Sequence, residues 1–364
     1  MTKENVTGKV LTVKGPIDPE QLGNTLMHEH LFIALLKTAA PDENTPVTDF
    51  VLWDQKLTLE NLHLARERKP IADNWVLSDV DLAIKEAMEY KHLGGDTIVE
   101  VTSIGLRRDP IAMLKVANAT GLNIVMGAGW YQKLYHPSNM DQRTVEDLSE
   151  EIIRDVTVGV GDTGIRSGII GEVGVEGNPI EPNEVKSIRA SVRASRATGA
   201  AISLHRGGTG PEKLETITIM GEEGVDFSRV IFGHSDIIAG NLPLMLDMLQ
   251  HGVYIQFDVM GRVGVPLEFQ PREYSIPAIA NSALTANVAD AIPRLIEAGY
   301  ADRILLSQDV CTKVQLKAYG GTGYSYIFEK FLPHLRARDV SEEHIQMMMM
   351  ENPKRVLPLV EPLS

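Results

Sequence analysis

The sequence predicts an α/β fold, a TIM-type (β/α)8 barrel with a short N-terminal β-hairpin and long loops on its active face. Three observations carry this. Short β-type runs alternate with helical patterns along the 364-residue chain, an order that builds a parallel sheet. Several of the runs, such as Val230-Ile231-Phe232, are continuously apolar, as strands covered on both faces require. No Gly-x-Gly-x-x-Gly follows an early strand, which weighs against the alternative, an open doubly wound sheet.

Taken in order, Gly8–Gly15 (Gly-Lys-Val-Leu-Thr-Val-Lys-Gly) reads as a strand pair within an N-terminal segment, 8–23. The barrel proper spans 24–358, and residues 1–364 read as one domain, with no repeat, low-complexity tract or linker. Its eight strands are Asn24–His28, Asp96–Val101, Leu122–Ala128, Gly168–Val173, Ala200–His205, Arg229–Gly233, Gly252–Asp258 and Arg303–Asp309. Asp79–Leu93 carries Val80, Ala83, Ile84, Ala87 and Met88 at helical spacing. Pro182 opens a helix in its first turn and Gly199 closes it. Asp141–Gly159, Gly210–Glu223, Gly240–Gly252 and Asn287–Gly299 follow the same pattern, and helices near Tyr324–Arg336 and Ser341–Leu357 complete the chain. Met347–Met350 on the last is read as core filling. Two connections are long, Leu31 to Ser78 and Val259 to about Ala286. Both leave the C-terminal ends of strands, the barrel face on which sites are built.

The composition excludes several function classes. Lysine and arginine number 35 against 49 aspartates and glutamates, a formal charge of −14. Such a surface repels nucleic acid and anionic membranes, so the expected partner is a small molecule. A single cysteine, Cys311, leaves no internal disulfide and fits a reducing compartment. With no apolar run of signal-peptide or membrane-span length, the expectation is a cytoplasmic protein.

The polar residues fall in a pattern. His28 and His30 end the first strand, and residues i and i+2 of a strand share a side. Glu172 ends the fourth strand, His205 the fifth, His234 the sixth and Asp309 the eighth. Strand tips of a closed barrel converge, so these six can meet. Imidazole with carboxylate and no thiolate suits zinc, manganese, cobalt or iron. A catalytic ion takes about three protein ligands, so four histidines and two carboxylates point to two ions sharing a carboxylate. The bland alternative, six separately hydrogen-bonded structural residues, does not explain why all stand at the same end of their strands. His63, His92, His251, His334 and His344 read as solvated or structural, and so does His136, although its loop follows strand three on the active face.

Met27-His28-Glu29-His30-Leu31, Gly168-Ile-Ile-Gly-Glu172-Val-Gly, Gly233-His234-Ser-Asp236 and Ser307-Gln-Asp309 resemble the phosphotriesterase family of the amidohydrolase superfamily, from about Gly8 to Pro353. Leu316-Lys-Ala-Tyr-Gly-Gly-Thr-Gly-Tyr-Ser-Tyr and Glu351-Asn-Pro resemble its phosphotriesterase-homology and phosphotriesterase-related branch. The resemblance implies two divalent cations, zinc first, with His28, His30 and Asp309 on the more buried ion and His205 and His234 on the other. Organophosphate hydrolases bridge their ions with a carbamylated lysine. Here no lysine stands in the strand-four stretch, and Glu172 is implied as the bridge. A histidine that follows strand seven in those enzymes is also missing, since Asp258 is followed by Val259.

The function this implies is metal-dependent hydrolysis, a hydroxide between the ions attacking the carbonyl or phosphoryl centre of a small ester, lactone or amide. Asp309 would carry the proton to the leaving group, and Asp236 would relay it or orient a histidine. Trp130 and Tyr131, after strand three, are candidate pocket walls. Arg206, Arg262, Arg272 and Lys313 are candidate counter-charges for an anionic substrate. The alternatives are an organophosphate hydrolase and a non-catalytic small-molecule binding protein on the same barrel. Relatives in the family are often dimers, so a homodimer is a further expectation.

Overall fold

A computed structural model of the chain describes residues 6–208, 210–262 and 281–363, without the side chains of 281–284. Strands β1 (Val10–Thr12) and β2 (Gly15–Ile17) pair antiparallel, two residues beyond the expected limit of the hairpin. The Thr12 hydroxyl donates to the Gly15 carbonyl (2.8 Å) and closes the turn. The barrel opens with β3 (Thr25–Glu29). A short antiparallel pair, β4 (Ile33–Ala34) and β5 (Val76–Leu77), ties together the two ends of the first long connection. The other barrel strands are β6 (Thr97–Glu100), β7 (Asn123–Ala128), β8 (Ile169–Val175), β9 (Ile202–Arg206), β10 (Val230–Phe232), β11 (Tyr254–Phe257) and β12 (Ile304–Leu306).

The eight barrel strands form one parallel sheet in the order β3-β6-β7-β8-β9-β10-β11-β12. Its edges meet just past β12, where the Asp309 amide donates to the His28 carbonyl (3.2 Å) and the His28 amide donates to the Ser307 hydroxyl (2.8 Å). The barrel expected from the sequence is therefore present, and the open sheet is excluded.

Helices form where caps and apolar spacing agree. Asp79 accepts from the Asp81 and Leu82 amides and starts the helix Val80–His92. Pro182–Thr198 stops at Gly199, whose φ of 75° is left-handed backbone that glycine adopts without strain. Val145–Thr157, Glu212–Glu222 and Leu242–Gln250 lie inside their expected spans. One helix, Pro110–Thr120, is absent from the sequence reading, although Asp109 caps it, proline opens it and Gly121 ends it. Asn281–Glu297 begins six residues before the expected Asn287. The two C-terminal helices are segmented, with π turns at Ile327–Phe331 and Met347–Glu351. Met348 and Met349 are buried, as core filling requires.

The barrel interior is layered. Val99, Val125, Ile169, Ala201, Ile231, Tyr254 and Leu305 form an apolar floor, covered from below by Val10, Leu22 and Val356. Each buried side chain of this size contributes about 1.5–3 kcal/mol. Two residues further along, and so on the same side, stand Val101, Gly127, Gly171, Ser203, Gly233, Gln256 and Ser307. The three glycines and two serines there leave room for what lies above. A Cβ on Gly233 would sit 2.6 Å from the Leu204 carbonyl and 3.4 Å from His28 Nδ1. The next interior positions are His205, Asp258 and Asp309. Among the described residues, no helix is long and apolar enough to cross a membrane.

Candidate metal centre

Six side chains from five strand ends converge above this layer, and all are buried: His28, His30, Glu172, His205, His234 and Asp309. His30 Nε2 lies 3.3 Å from Asp309 Oδ1 and 3.5 Å from Glu172 Oε1. His28 Nε2 lies 3.2 Å from Glu172 Oε2 and 3.9 Å from Asp309 Oδ1. On the other side, His205 Nδ1 is 2.7 Å and His234 Nε2 3.8 Å from Glu172 Oε2, and those two ring nitrogens are 2.9 Å apart. The Glu172 carboxylate thus stands among all four imidazoles, Oε1 toward His30 and Oε2 toward His28, His205 and His234.

The ring orientations suit cation binding. Thr102 Oγ1 donates to Glu100 Oε1 (2.8 Å), so it accepts from His30 Nδ1 (2.8 Å) and leaves Nε2 bare toward the carboxylates. His234 donates Nδ1–H to Asp258 Oδ1 (2.6 Å), which leaves its Nε2 facing the centre. His205 is turned the other way, Nδ1 inward and Nε2 3.2 Å from the Tyr131 hydroxyl. Among the described residues, buried His28 Nε2 makes no well-aligned hydrogen bond, although Glu172 Oε2 is 3.2 Å away. A buried nitrogen so placed among carboxylates is what a cation-binding position looks like without its cation. Ligand atoms of His28, His30 and Asp309 lie within 4.8 Å of one another, and so do those of His28, Glu172 and His234. The residues fit divalent metal.

The electrostatics agree. Burial alone would lower the His28 pKa, but Asp258, Glu172 and Asp309 outweigh it and raise it to about 10. Burial pushes the Glu172 carboxyl up, yet His205 and His28 hold it well below the usual range. Asp309 is depressed against its burial by Arg262, His30 and His234. The carboxylates raise His28 and His30, whereas burial and the neighbouring His234 lower His205 to about 4, so proton affinity gathers on the His28–His30 side, where a cation takes the place of protons on binding.

Several supporting residues were not singled out from the sequence. Glu29, between the two histidines, accepts from Ser307 Oγ (2.7 Å) and from the Gln308 (2.8 Å) and Val310 (2.9 Å) amides. It thereby grips the chain on both sides of Asp309, which holds a left-handed φ of 50°. Burial, opposed by these bonds, raises its pKa to about 7. Asp258 accepts from the His234 amide (2.9 Å) and ring and from Gln256 Nε2 (2.6 Å), and its Oδ2 lies 3.2 Å from His28 Nδ1. It stands directly past β11, at the same end of the barrel as His205 in β9. Glu100 accepts from the Leu31 and Phe32 amides and so fixes the exit of β3.

The other expected site residues are placed as follows. Tyr131 stacks edge-on against His205, ring centroids 4.7 Å apart. Trp130 is buried in the same core cluster as Tyr131, with the Arg143 guanidinium 4.7 Å from its ring centroid. Asp236 Oδ2 accepts from the Asp258 amide (2.8 Å), so it touches the cage only through Asp258. Arg206 pairs with Glu176 (2.8 Å) and Lys313 with Asp73 (2.8 Å), while Arg262 pairs with Asp309. Arg272 lies outside the described residues. His136 gives its Nε2 to the Tyr131 carbonyl (2.6 Å), away from the centre.

Barrel and cage define the class of protein, a metal-dependent hydrolase. A sequence profile of the phosphotriesterase family matches residues 8–357, and the chain belongs to that family. It is 34% identical to the N-acetyltaurine hydrolase of Dictyostelium discoideum, covering 97% of this chain and 99% of that protein. Among solved structures, a resiniferatoxin-binding protein from Rhodobacter sphaeroides superposes with a TM-score of 0.88 at 32% identity, over 96% of this chain and 95% of that one. The phosphotriesterase homology protein from Escherichia coli, complexed with phosphate in its active site, gives 0.75 at 28% identity, over 94% and 100%.

Proposed function

We propose that this chain hydrolyses the amide bond of a small N-acylated amine, using two divalent cations held by His28, His30, Glu172, His205, His234 and Asp309, with zinc the first choice of metal. The observation that supports the two-cation reading is the placement of Glu172 within reach of all four imidazoles, Oε1 toward His30 and Oε2 toward His28, His205 and His234. Similarity to a relative named for hydrolysing N-acetyltaurine supports an amide as the scissile bond.

Cations bound there supply an activated water and polarise the scissile carbonyl. The chain's own groups do the rest. Asp309 keeps Oδ1 toward His30, and its carboxylate accepts the proton of the attacking water and returns it to the departing amine nitrogen. Asp258 and Thr102 fix the ring nitrogens that face the cations. Asp236 acts through the Asp258 amide, as a positioning residue. The Tyr131 hydroxyl, 3.2 Å from His205 and buried, closes one side of the reaction space against water.

The test is turnover by the zinc-loaded chain of three compounds, N-acetyltaurine, a lactone and a phosphotriester, alongside metal per chain. Amine release that stops on chelation and returns with zinc, at two ions per chain, supports the proposal. Faster turnover of the lactone or phosphotriester would replace the amide reading. The similarity to a protein named for binding resiniferatoxin supports a second reading, a binding protein. It predicts ligand retention without product when both ions are present.

A further inference from the structure

The cations around the mouth of the cage are not equivalent. Arg206 Nη1 is held by Glu176 Oε2 at 2.8 Å, and Lys313 Nζ by Asp73 Oδ2 at 2.8 Å. Neither carboxylate belongs to the cage, so metal binding leaves both pairs intact. Arg262 differs. It stands four residues past Asp258, and its Nη2 pairs with Asp309 Oδ2, the oxygen opposite the one that faces His30. A longer contact (3.4 Å) runs from Nη2 to the Asp309 carbonyl. Among the described residues, its buried Nε has no hydrogen-bond acceptor. Arg262 is thus a guanidinium in contact with one of the proposed metal ligands, with a donor that no described residue takes up.

Two physical points follow. A guanidinium offers five N–H donors in a planar fork, which matches an oxyanion such as sulfonate or carboxylate. The charge of Asp309 is also claimed by cations once they bind, which weakens its hold on Arg262 and leaves a positive side chain beside the scissile position. An N-acyl-2-aminoethanesulfonate carries its charge two carbons beyond the amide nitrogen, each bond about 1.5 Å. On a chain of formal charge −14, an anionic substrate needs such a local counter-charge to enter.

We infer that Arg262 is the specificity-determining residue of this site, seating the anionic group of the amine half and selecting N-acyl aminosulfonates or aminocarboxylates over neutral amides; this rests on the amide-hydrolase reading above. Arg206 and Lys313, already held by carboxylates outside the cage, do not share that role.

The experiment compares the zinc-loaded full chain with Arg262→Met and Arg262→Lys on two substrates of equal length, N-acetyltaurine and uncharged N-propylacetamide. Losing a charge-assisted contact of about 1.5–3 kcal/mol corresponds to roughly 10–100-fold. Because Arg262 also touches Asp309, Arg262→Met can slow both substrates, and the expected signature is a fall by that factor in the ratio of kcat/KM for N-acetyltaurine to that for the neutral amide, carried mainly by KM. Arg262→Lys restores part of it, and metal content stays at the parent value. Equal losses on both substrates, or undiminished preference for the anion, overturn the inference. Calorimetric binding of N-acetyltaurine to the same proteins is read in parallel. If the parent chain turns over neither amide, the hydrolase reading fails. The inference then stands or falls on whether Arg262→Met weakens that binding by the same factor.

Discussion

Replacing Asp258 by asparagine isolates what a residue outside the ligand set does for the cage. The amide keeps one oxygen for the His234 amide and ring, now at 2.9 and 2.6 Å. It removes the negative charge shared by His234 and by His28, whose Nδ1 is 3.2 Å from Oδ2. It also sets an NH2 against Gln256 Nε2, now donating at 2.6 Å. Both imidazoles become weaker donors to a cation. Removing such a partner lowers metal affinity by roughly 10–100-fold, or about 1.4–2.7 kcal/mol, in line with the 1.5–3 kcal/mol of one buried charge-assisted hydrogen bond. Because Asp258 reaches His28 and His234, which the proposed ligand sets assign to different ions, both ions are expected to weaken. The assay is zinc competition against a chromophoric chelator at fixed pH, with urea unfolding of the metal-free proteins as the control for general damage. Affinity within twofold of the parent at both positions would refute the argument that this carboxylate tunes the ring nitrogens.

Glu172→Gln leaves one oxygen where two are needed, and the expected result is a fall from two ions per chain to one or fewer by mass spectrometry; retention of two would remove Glu172 as the bridge. Glu29→Gln turns an acceptor of three donors into one with an NH2 facing an amide, at a cost of about 1–3 kcal/mol per unsatisfied group. The expected outcome is a lower melting temperature together with a 10-fold or larger drop in kcat (~1.4 kcal/mol per tenfold), since Asp309 loses its anchor; a kcat equal to the parent's would refute it. Lys213 is fully buried, its ammonium 5.6 Å from the Phe232 ring centroid, and burial with Arg206 nearby lowers its pKa to about 7. The unfolded chain therefore holds the extra proton between about pH 7 and 10.5, so the lysine's penalty is complete below that window and fades as pH rises through it. Lys213→Met is expected to stabilise the fold by a few kcal/mol at pH 6, from a shift worth 1.36 kcal/mol per pH unit less a lost hydrogen bond. The gain should shrink toward pH 10, and a pH-independent difference in urea unfolding would contradict the assignment.

The alternation of β-runs and helices, and the metal-capable residue at each of several strand ends, are local facts of the chain. They sufficed for the barrel and for the six cage residues, because strand ends of a closed barrel converge whatever the loops between them do. Where local pattern and tertiary need diverge, the sequence was silent or misleading. Trp130 and Tyr131 follow the same strand end and share one core cluster, yet Trp130 packs under Arg143 while Tyr131 stacks on His205. Asp258 and Glu29 are ordinary carboxylates in one dimension. Their roles come from Ser307, Gln308 and Val310, far along the chain from Glu29, and from His28 brought beside Asp258. The cations at the mouth were indistinguishable by composition as well, and only their acidic partners separate them: Glu176 and Asp73 lie outside the cage, Asp309 inside it. Residue type and strand position decide which groups can reach a shared centre. Which nitrogen carries its proton, which carboxylate braces it and which guanidinium keeps donors unused depend on contacts across the ring, and those exist only after it closes.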